Sequence, residues 1–251
     1  MSPSVRPEAP PRLGAILLAA GRGERLGDEV NKVFLPVSGR PLLSFSLDTF
    51  ARFPDLAELV VVTREVDRHQ LAPLLADLPV AARVVIGGAT RHQSEAAGLE
   101  AMRLAVRAGE VRMIAIHDGA RPFMTMALLT ACVTAAARTG GAIPTLDLVT
   151  GTETTELASD LIRTHPDDPA RRLRVQTPQA FAAQPLIDAY ETAATLGFEG
   201  PDTATTYERF VGRPVAFVPG DPRNLKVTFA SDLARAETEV KRWSQGDWID
   251  A

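Results

Sequence analysis

The stretch Gly14-Ala15-Ile16-Leu17-Leu18-Ala19, followed at once by Gly21-Arg22-Gly23-Glu24-Arg25-Leu26-Gly27, decides how the chain is read. A short apolar run ending in small residues fits a strand buried on both faces, as in a parallel sheet. Further apolar runs repeat the pattern at Leu59 to Thr63, Ala82 to Ile86 and Val111 to Ile116, and another extended piece begins at Gly141 to Pro144. Helical spacing falls between them, at Leu42 to Phe50, Val66 to Asp77, Arg91 to Ala108 and Met126 to Arg138. This alternation predicts an α/β, doubly wound, Rossmann-like and mostly parallel sheet. Farther along, Gln184 to Leu196, Asp202 to Phe210 and Ser231 to Trp243 read as helices, with Ser231 as an N-cap. Val215 to Val218 reads as a strand and Leu225 to Thr228 as extended.

Sheets of this kind bind ligands at the carboxyl ends of their strands. Three polar runs follow predicted strands: Gly21 to Lys32, Gly87 to Ser94 and His117 to Pro122. They are expected to meet at one edge. The segment from about residue 145 to 176 has no helical period, and is too long for a structureless loop inside a domain. It reads as a protruding β-arm that packs on a partner subunit. The expected organisation is a flexible tail over residues 1–12, one domain over 13–244 carrying that arm, and a short tail over 245–251.

The chain of 251 residues is 45% hydrophobic and 23% charged, ordinary for a globular domain. No apolar run reaches the roughly 18 residues of a membrane span. The Pro-rich start lacks the apolar core of a signal peptide. One cysteine, Cys132, excludes an internal disulfide framework and suits a reducing cytoplasm. A net charge of −4 argues against a general nucleic-acid binder, so an anionic substrate must meet a local cationic cluster. Only Lys32, Lys226 and Lys241 break a background of arginine, which draws attention to the first two. His69, His92, His117 and His165 show no metal-ligand spacing, and His117 reads as a residue that holds its loop by hydrogen bonds.

The first loop fits neither the dinucleotide fingerprint nor the P-loop pattern. What remains is a glycine-rich turn with Arg25 and Lys32 in it. Its backbone N–H groups and two full charges suit a triphosphate, and an ordinary strand-to-helix connection is the alternative.

LAAGRGERLG (18–27) followed by NKVFLPVSGRPLL (31–43) resembles the signature loop of the sugar-phosphate nucleotidyltransferases. GGATRHQS (87–94), HDGARPF (117–123), QTPQAF (176–181) and NLKVT (224–228) resemble, in order, later motifs of the 2-C-methyl-D-erythritol 4-phosphate cytidylyltransferase family. The resemblance implies transfer of CMP from CTP to that polyol phosphate, for isoprenoid precursor synthesis. It implies Mg2+ carried mainly on the CTP phosphates, a homodimer, and no membrane or nucleic-acid partner. It gives Arg25 and Lys32 the task of stabilising charge at the α-phosphate. Ala19, Ala20, Gly21, Gly23, Gly88, Ala89, Ser94 and Gly119 fall on nucleotide contacts. Asp118, Arg121, Thr177 and Lys226 fall on acceptor contacts.

The sequence departs from the family pattern mainly on the acceptor side. Pro169 stands where the arm carries an Arg, leaving Arg171 and Arg172 as candidates to replace it, and Pro201 stands where a Thr meets the acceptor. Thr150 replaces a common Lys, and Asn31 and Val33 flank Lys32 where Pro and Gln are usual. Competing readings are a cytidylyltransferase for another polyol phosphate such as ribitol 5-phosphate, or for a phosphonate, and a catalytically silent nucleotide-binding paralogue. A glycosyltransferase of similar topology is disfavoured, because the chain has no Asp-x-Asp motif.

Overall fold

The computed structural model describes residues 12–21, 31–148 and 161–244. Strands are β1 (Leu13–Ala19), β2 (Pro36–Val37), β3 (Arg40–Pro41), β4 (Leu56–Thr63), β5 (Ala82–Ile86) and β6 (Met113–Asp118). They continue with β7 (Gly141–Asp147), β8 (Ile162–His165), β9 (Asp168–Val175), β10 (Gln179–Ala182) and β11 (Ala216–Pro219). The α-helices of the described residues are α1 (Leu42–Ala51), α2 (Arg68–Ala76), α3 (Arg91–Arg107), α4 (Met126–Thr139), α5 (Ala183–Thr195), α6 (Thr203–Val211) and α7 (Ala230–Ser244). None of them is long and apolar enough to cross a membrane.

Nine strands form one sheet in the order β5-β4-β1-β6-β10-β7-β9-β8, with β11 alongside β7. β5, β4, β1 and β6 run parallel, as the alternation of strands and helices predicts. β1 and the stretches Leu59 to Val62 of β4 and Met113 to Ile116 of β6 are continuously apolar because each face meets its own core, whereas the edge strand β5 carries Arg83 and is only partly buried. Leu13, Ala15, Leu17 and Ala19 pack with Leu59, Val61, Met113 and Ala115 on the side of α1, α2 and α4. Ile16, Val60, Val62, Ile114 and Ile116 pack on the other side with Leu99 and Met102 of α3, Leu186 and Tyr190 of α5, and Tyr207 of α6. Side chains alternate along a strand, so a strand with two cores shows no polar face in its sequence. Cys132 is buried in the first of these cores, where burial pushes its thiol pKa up.

β9 and β10 are two parts of one antiparallel companion of β7. Val175 pairs with Thr145, whereas Ala180 pairs with Ala142, two residues out of step. Gln176, Thr177 and Pro178, joined by a cis Thr177–Pro178 bond, take up the excess as a bulge. Bulges of this kind re-aim side chains at sheet edges, and this one carries part of the site below.

β8 and β9 form a hairpin at the end of the sheet order, with Ile162–His165 paired antiparallel to Asp168–Val175. Residues 149–160, including Thr150, lie outside the described residues, as do 1–11, 22–30 and 245–251. Three helix starts are capped by side chains: Thr90 accepts from Gln93 N, Thr125 from Leu128 N, and Asp202 from Thr205 N. Asp202 therefore precedes its helix rather than opening it. Ser231, expected as the cap of α7, lies inside it. The Asp232 carboxylate instead accepts from Thr228 N at 2.7 Å and Phe229 N at 2.8 Å, charged acceptor bonds that a hydroxyl does not match. Leu225 to Thr228 joins no strand, although Val227 N donates to Ala120 O.

Candidate active site at the carboxyl edge of the sheet

β1 ends at Ala19, beside the ends of β4 and β6. The next described residue after Gly21 is Asn31, which is fully buried and donates to Ala19 O. Lys32 opens the short 3-10 turn Lys32–Phe34 directly after it. Ala19 is buried and Gly21 exposed, while Gly23 and Arg25 lie outside the described residues.

The run after β5 is held against this end of β1. Gly87 N donates to Thr63 O at 2.9 Å. A Cβ on Gly87 would lie 2.7 Å from both Ala20 Cβ and Ser94 Oγ, so only glycine fits there. Ser94 Oγ donates to Thr90 O at 3.0 Å. Ala89 N donates to Gln93 Oε1, while Gln93 Nε2 and Thr90 Oγ1 both donate to Glu199. Gly119 completes the rim. Its N–H donates to Leu18 O at 2.8 Å, and a Cβ there would meet Leu43 Cδ1 at 2.7 Å.

Next to this rim, Asp118 closes β6 and gathers cations. Lys226 Nζ lies 3.0 Å from Asp118 Oδ2, and Arg91 Nη2 lies 3.1 Å from Oδ1. Burial alone would raise the carboxyl pKa, but Lys226, Arg91 and Arg121 outweigh it and hold the group well below the usual carboxylate range. Arg91 also pairs with Glu95, a fully buried carboxylate. Tyr190 and Thr203 hydroxyls donate to Glu95 as well, at 2.5 and 2.6 Å. Burial raises the Glu95 pKa against these contacts. Arg121 is 2% exposed and turns inward, donating to the carbonyls of Asn224 at 3.0 Å and Val175 at 3.5 Å.

Thr177, on the bulge, ties these pieces together. Its Oγ1 accepts from Asp118 N at 3.1 Å and lies 2.9 Å from His117 Nδ1. His117 Nε2 lies 2.8 Å from the carbonyl of Arg121. Burial lowers the imidazole pKa to about 4, so the ring is neutral near neutral pH. The carbonyl can only accept, which places the proton on Nε2 and makes Nδ1 an acceptor. Thr177 therefore donates to His117 while accepting from Asp118. Asn224 Nδ2 then donates to Thr177 O at 2.7 Å. The runs at 117–123, 176–181 and 224–228 thus meet in one hydrogen-bonded cluster, and His117 holds the loop as the sequence suggested.

Arg171 and Arg172 do not join this cluster within their own chain. Arg171 forms an exposed bidentate pair with Asp147, and Arg172 is exposed on β9. Arg163 docks the hairpin instead, donating to Glu208 at 2.7 Å and Thr205 at 3.1 Å. Arg91 and Glu95 were not anticipated as site residues. Their i,i+4 spacing announces a pair, but nothing local announces Asp118 as a second partner.

A family model described as IspD: 2-C-methyl-D-erythritol 4-phosphate cytidylyltransferase matches residues 13–242. The chain belongs to this cytidylyltransferase family. A relative from Geobacillus kaustophilus, named 2-C-methyl-D-erythritol 4-phosphate cytidylyltransferase, is 38% identical over 225 residues, covering 89% of this chain and 94% of the relative. A relative of the same name from Geobacter metallireducens is 36% identical over 237 residues, covering 90% and 97%. Among solved structures, the 4-diphosphocytidyl-2C-methyl-D-erythritol synthase of Anaerococcus prevotii superposes with a TM-score of 0.74 at 25% identity, covering 93% of this chain and 100% of that one. The 2-C-methyl-D-erythritol 4-phosphate cytidylyltransferase of Thermus thermophilus gives 0.64 at 30% identity, covering 90% and 98%. The span matched to the cytidylyltransferase family takes in every motif run that meets at the sheet edge.

Proposed function

We propose that the chain transfers CMP from CTP to 2-C-methyl-D-erythritol 4-phosphate and releases pyrophosphate. The observation that carries this reading is the Asp118 cluster: Lys226 and Arg91 sit within 3.1 Å of its carboxylate, beside the glycine-bounded run of residues 87–94. Such a cluster offers cations to a phosphate and a carboxylate to the hydroxyls of a polyol. The nucleotide lies along Ala19, Ala20, Gly21, Gly88, Ala89, Ser94 and Gly119, with Gly23 on the same loop. A phosphate oxygen of the acceptor attacks the α-phosphorus in line, and the electrons of the breaking bond leave with pyrophosphate. No protein nucleophile is needed, so the protein contributes position and charge. Lys32 and Arg25 stabilise the charge on the transferring phosphoryl oxygens. Lys226 serves the acceptor phosphate, Arg121 supports the site from behind by holding the Asn224 and Val175 carbonyls, and Asp118 and Thr177 orient the acceptor.

Magnesium belongs to the nucleotide in this reading. Among the described residues no group of three or more His, Cys, Asp or Glu side chains is placed to hold a metal, and Asp118 is taken up by two cations. A hard cation that prefers phosphate oxygens would then supply charge neutralisation on the leaving group. The β8–β9 hairpin, at the sheet's end with four consecutive exposed residues on β9, supports a homodimer in which this arm lies on a partner and offers Arg171 or Arg172.

The test is pyrophosphate release from CTP and magnesium with a panel of acceptors. Release with 2-C-methyl-D-erythritol 4-phosphate and none with ribitol 5-phosphate is expected. Silence with every acceptor, or preference for ribitol 5-phosphate, overturns the reading.

A further inference from the structure

We propose that Asn31 is a positioning residue that acts through Lys32, fixing the turn that carries the ammonium group against the end of β1. This deepens the function proposed above and rests on the role given there to Lys32.

Asn31 has no exposed surface. Its Nδ2 donates to Ala19 O at 2.6 Å and to Asp67 Oδ2 at 2.8 Å, and its Oδ1 accepts from Val33 N at 3.4 Å. Two acceptors on one side and a donor on the other permit only one orientation of the carboxamide. Asp67 is itself 2% exposed and is gripped by Arg64, whose Nε and Nη2 donate at 2.6 and 2.9 Å. The amide is therefore clamped between a buried carboxylate and a strand-end carbonyl.

Burying a carboxamide is unfavourable unless its hydrogen bonds are made, and here they are made to three separate segments. One is the end of β1, where Ala19 is itself the first of the residues assigned to the nucleotide. The second is the Lys32–Phe34 turn, whose first residue follows Asn31 directly. The third is the turn after β4, which holds Arg64 and Asp67. A Lys side chain is long and freely rotating, so its origin is the part that buried structure can fix. Asn31 fixes that origin relative to Ala19, the strand end from which the nucleotide loop departs.

The experiment is a double-mutant cycle in the full chain, assayed with CTP, magnesium and 2-C-methyl-D-erythritol 4-phosphate. Asn31→Ala is expected to lower kcat roughly 10- to 100-fold while KM for CTP stays within about threefold, the signature of misplacement rather than lost binding. Asn31→Ser keeps an oxygen able to cap Val33 N–H but cannot bridge Ala19 and Asp67, so it should show the same loss, with circular dichroism checking that both variants fold. In a Lys32→Ala background both substitutions should cost less than about twofold, because the group they position is gone. Wild-type kcat in both Asn31 variants, or an equal loss in the two backgrounds, overturns the proposal while leaving Lys32 in its role. Unchanged kcat in Lys32→Ala alone overturns the role of Lys32 and the proposal with it.

Discussion

His117 gives the chain a calculable dependence on pH. In the unfolded chain its imidazole titrates near ~6.5, and in the folded chain burial lowers this to about 4. Above the higher value both states are neutral and the group contributes no slope. Between the two values the unfolded chain binds a proton that the folded chain refuses, so stability falls as pH falls. Below about 4 both states bind it and the slope ends. At roughly 1.4 kcal/mol per pH unit, the gap amounts to about 3 kcal/mol. The cause is burial, which disfavours the charged imidazolium and outweighs the Arg121 carbonyl and the Asp118 carboxylate, both of which favour it. Replacing His117 with Asn removes the titration. At pH 8 the variant should be less stable by about 1–3 kcal/mol, for a buried partner left unbonded. Urea unfolding followed by circular dichroism, at intervals from pH 8 to 4, measures both proteins. Comparing them cancels the titration of Asp118 and Glu95, which both retain. The difference should shrink through this window and close or change sign near its lower end. Curves that stay parallel would show that His117 carries no depressed pKa in the folded chain.

Lys32→Ala and Arg25→Ala should each lower turnover by roughly 10²- to 10³-fold, the scale for losing one transition-state donor, and steady-state rates within about threefold of wild type would refute those roles. Arg91→Met should destabilise the fold by roughly 2–3 kcal/mol in urea unfolding, short of the full loss for a buried pair because 28% of the Arg91 side chain is exposed. The same variant should raise KM for the acceptor, since Asp118 loses one of its two closest cations, and an unchanged KM would separate Arg91 from the site. Gly119→Val should abolish CTP binding in calorimetry or prevent folding altogether, because even its Cβ meets Leu43 at 2.7 Å and Leu18 O at 2.9 Å. A folded variant with wild-type affinity would remove Gly119 from the nucleotide rim.

The sheet was legible where burial is symmetric and obscure where pairing decides. β1, β4 and β6 feed cores on both faces, so their composition alone marks them as strands. β10 spans four residues, begins with a buried glutamine, and owes its place to β6 and β7 on either side. No local pattern announces it, nor the two-residue slip that turns Thr177 toward His117. The site divides in the same way. Parallel strands with a shared direction force the runs after β1, β5 and β6 to one edge, so their meeting follows from topology. Which charges meet there depends on reach across the edge: Lys226 stands more than a hundred residues from Asp118, yet it supplies the contact that sets the state of that carboxylate. Asn31 shows the limit most clearly. In the sequence it is a departure from the usual residue beside Lys32, and in the fold it is a fully buried bridge among three segments. A polar residue at an unexpected position gains its meaning only when the carboxylate and carbonyl that it joins are brought within bonding distance.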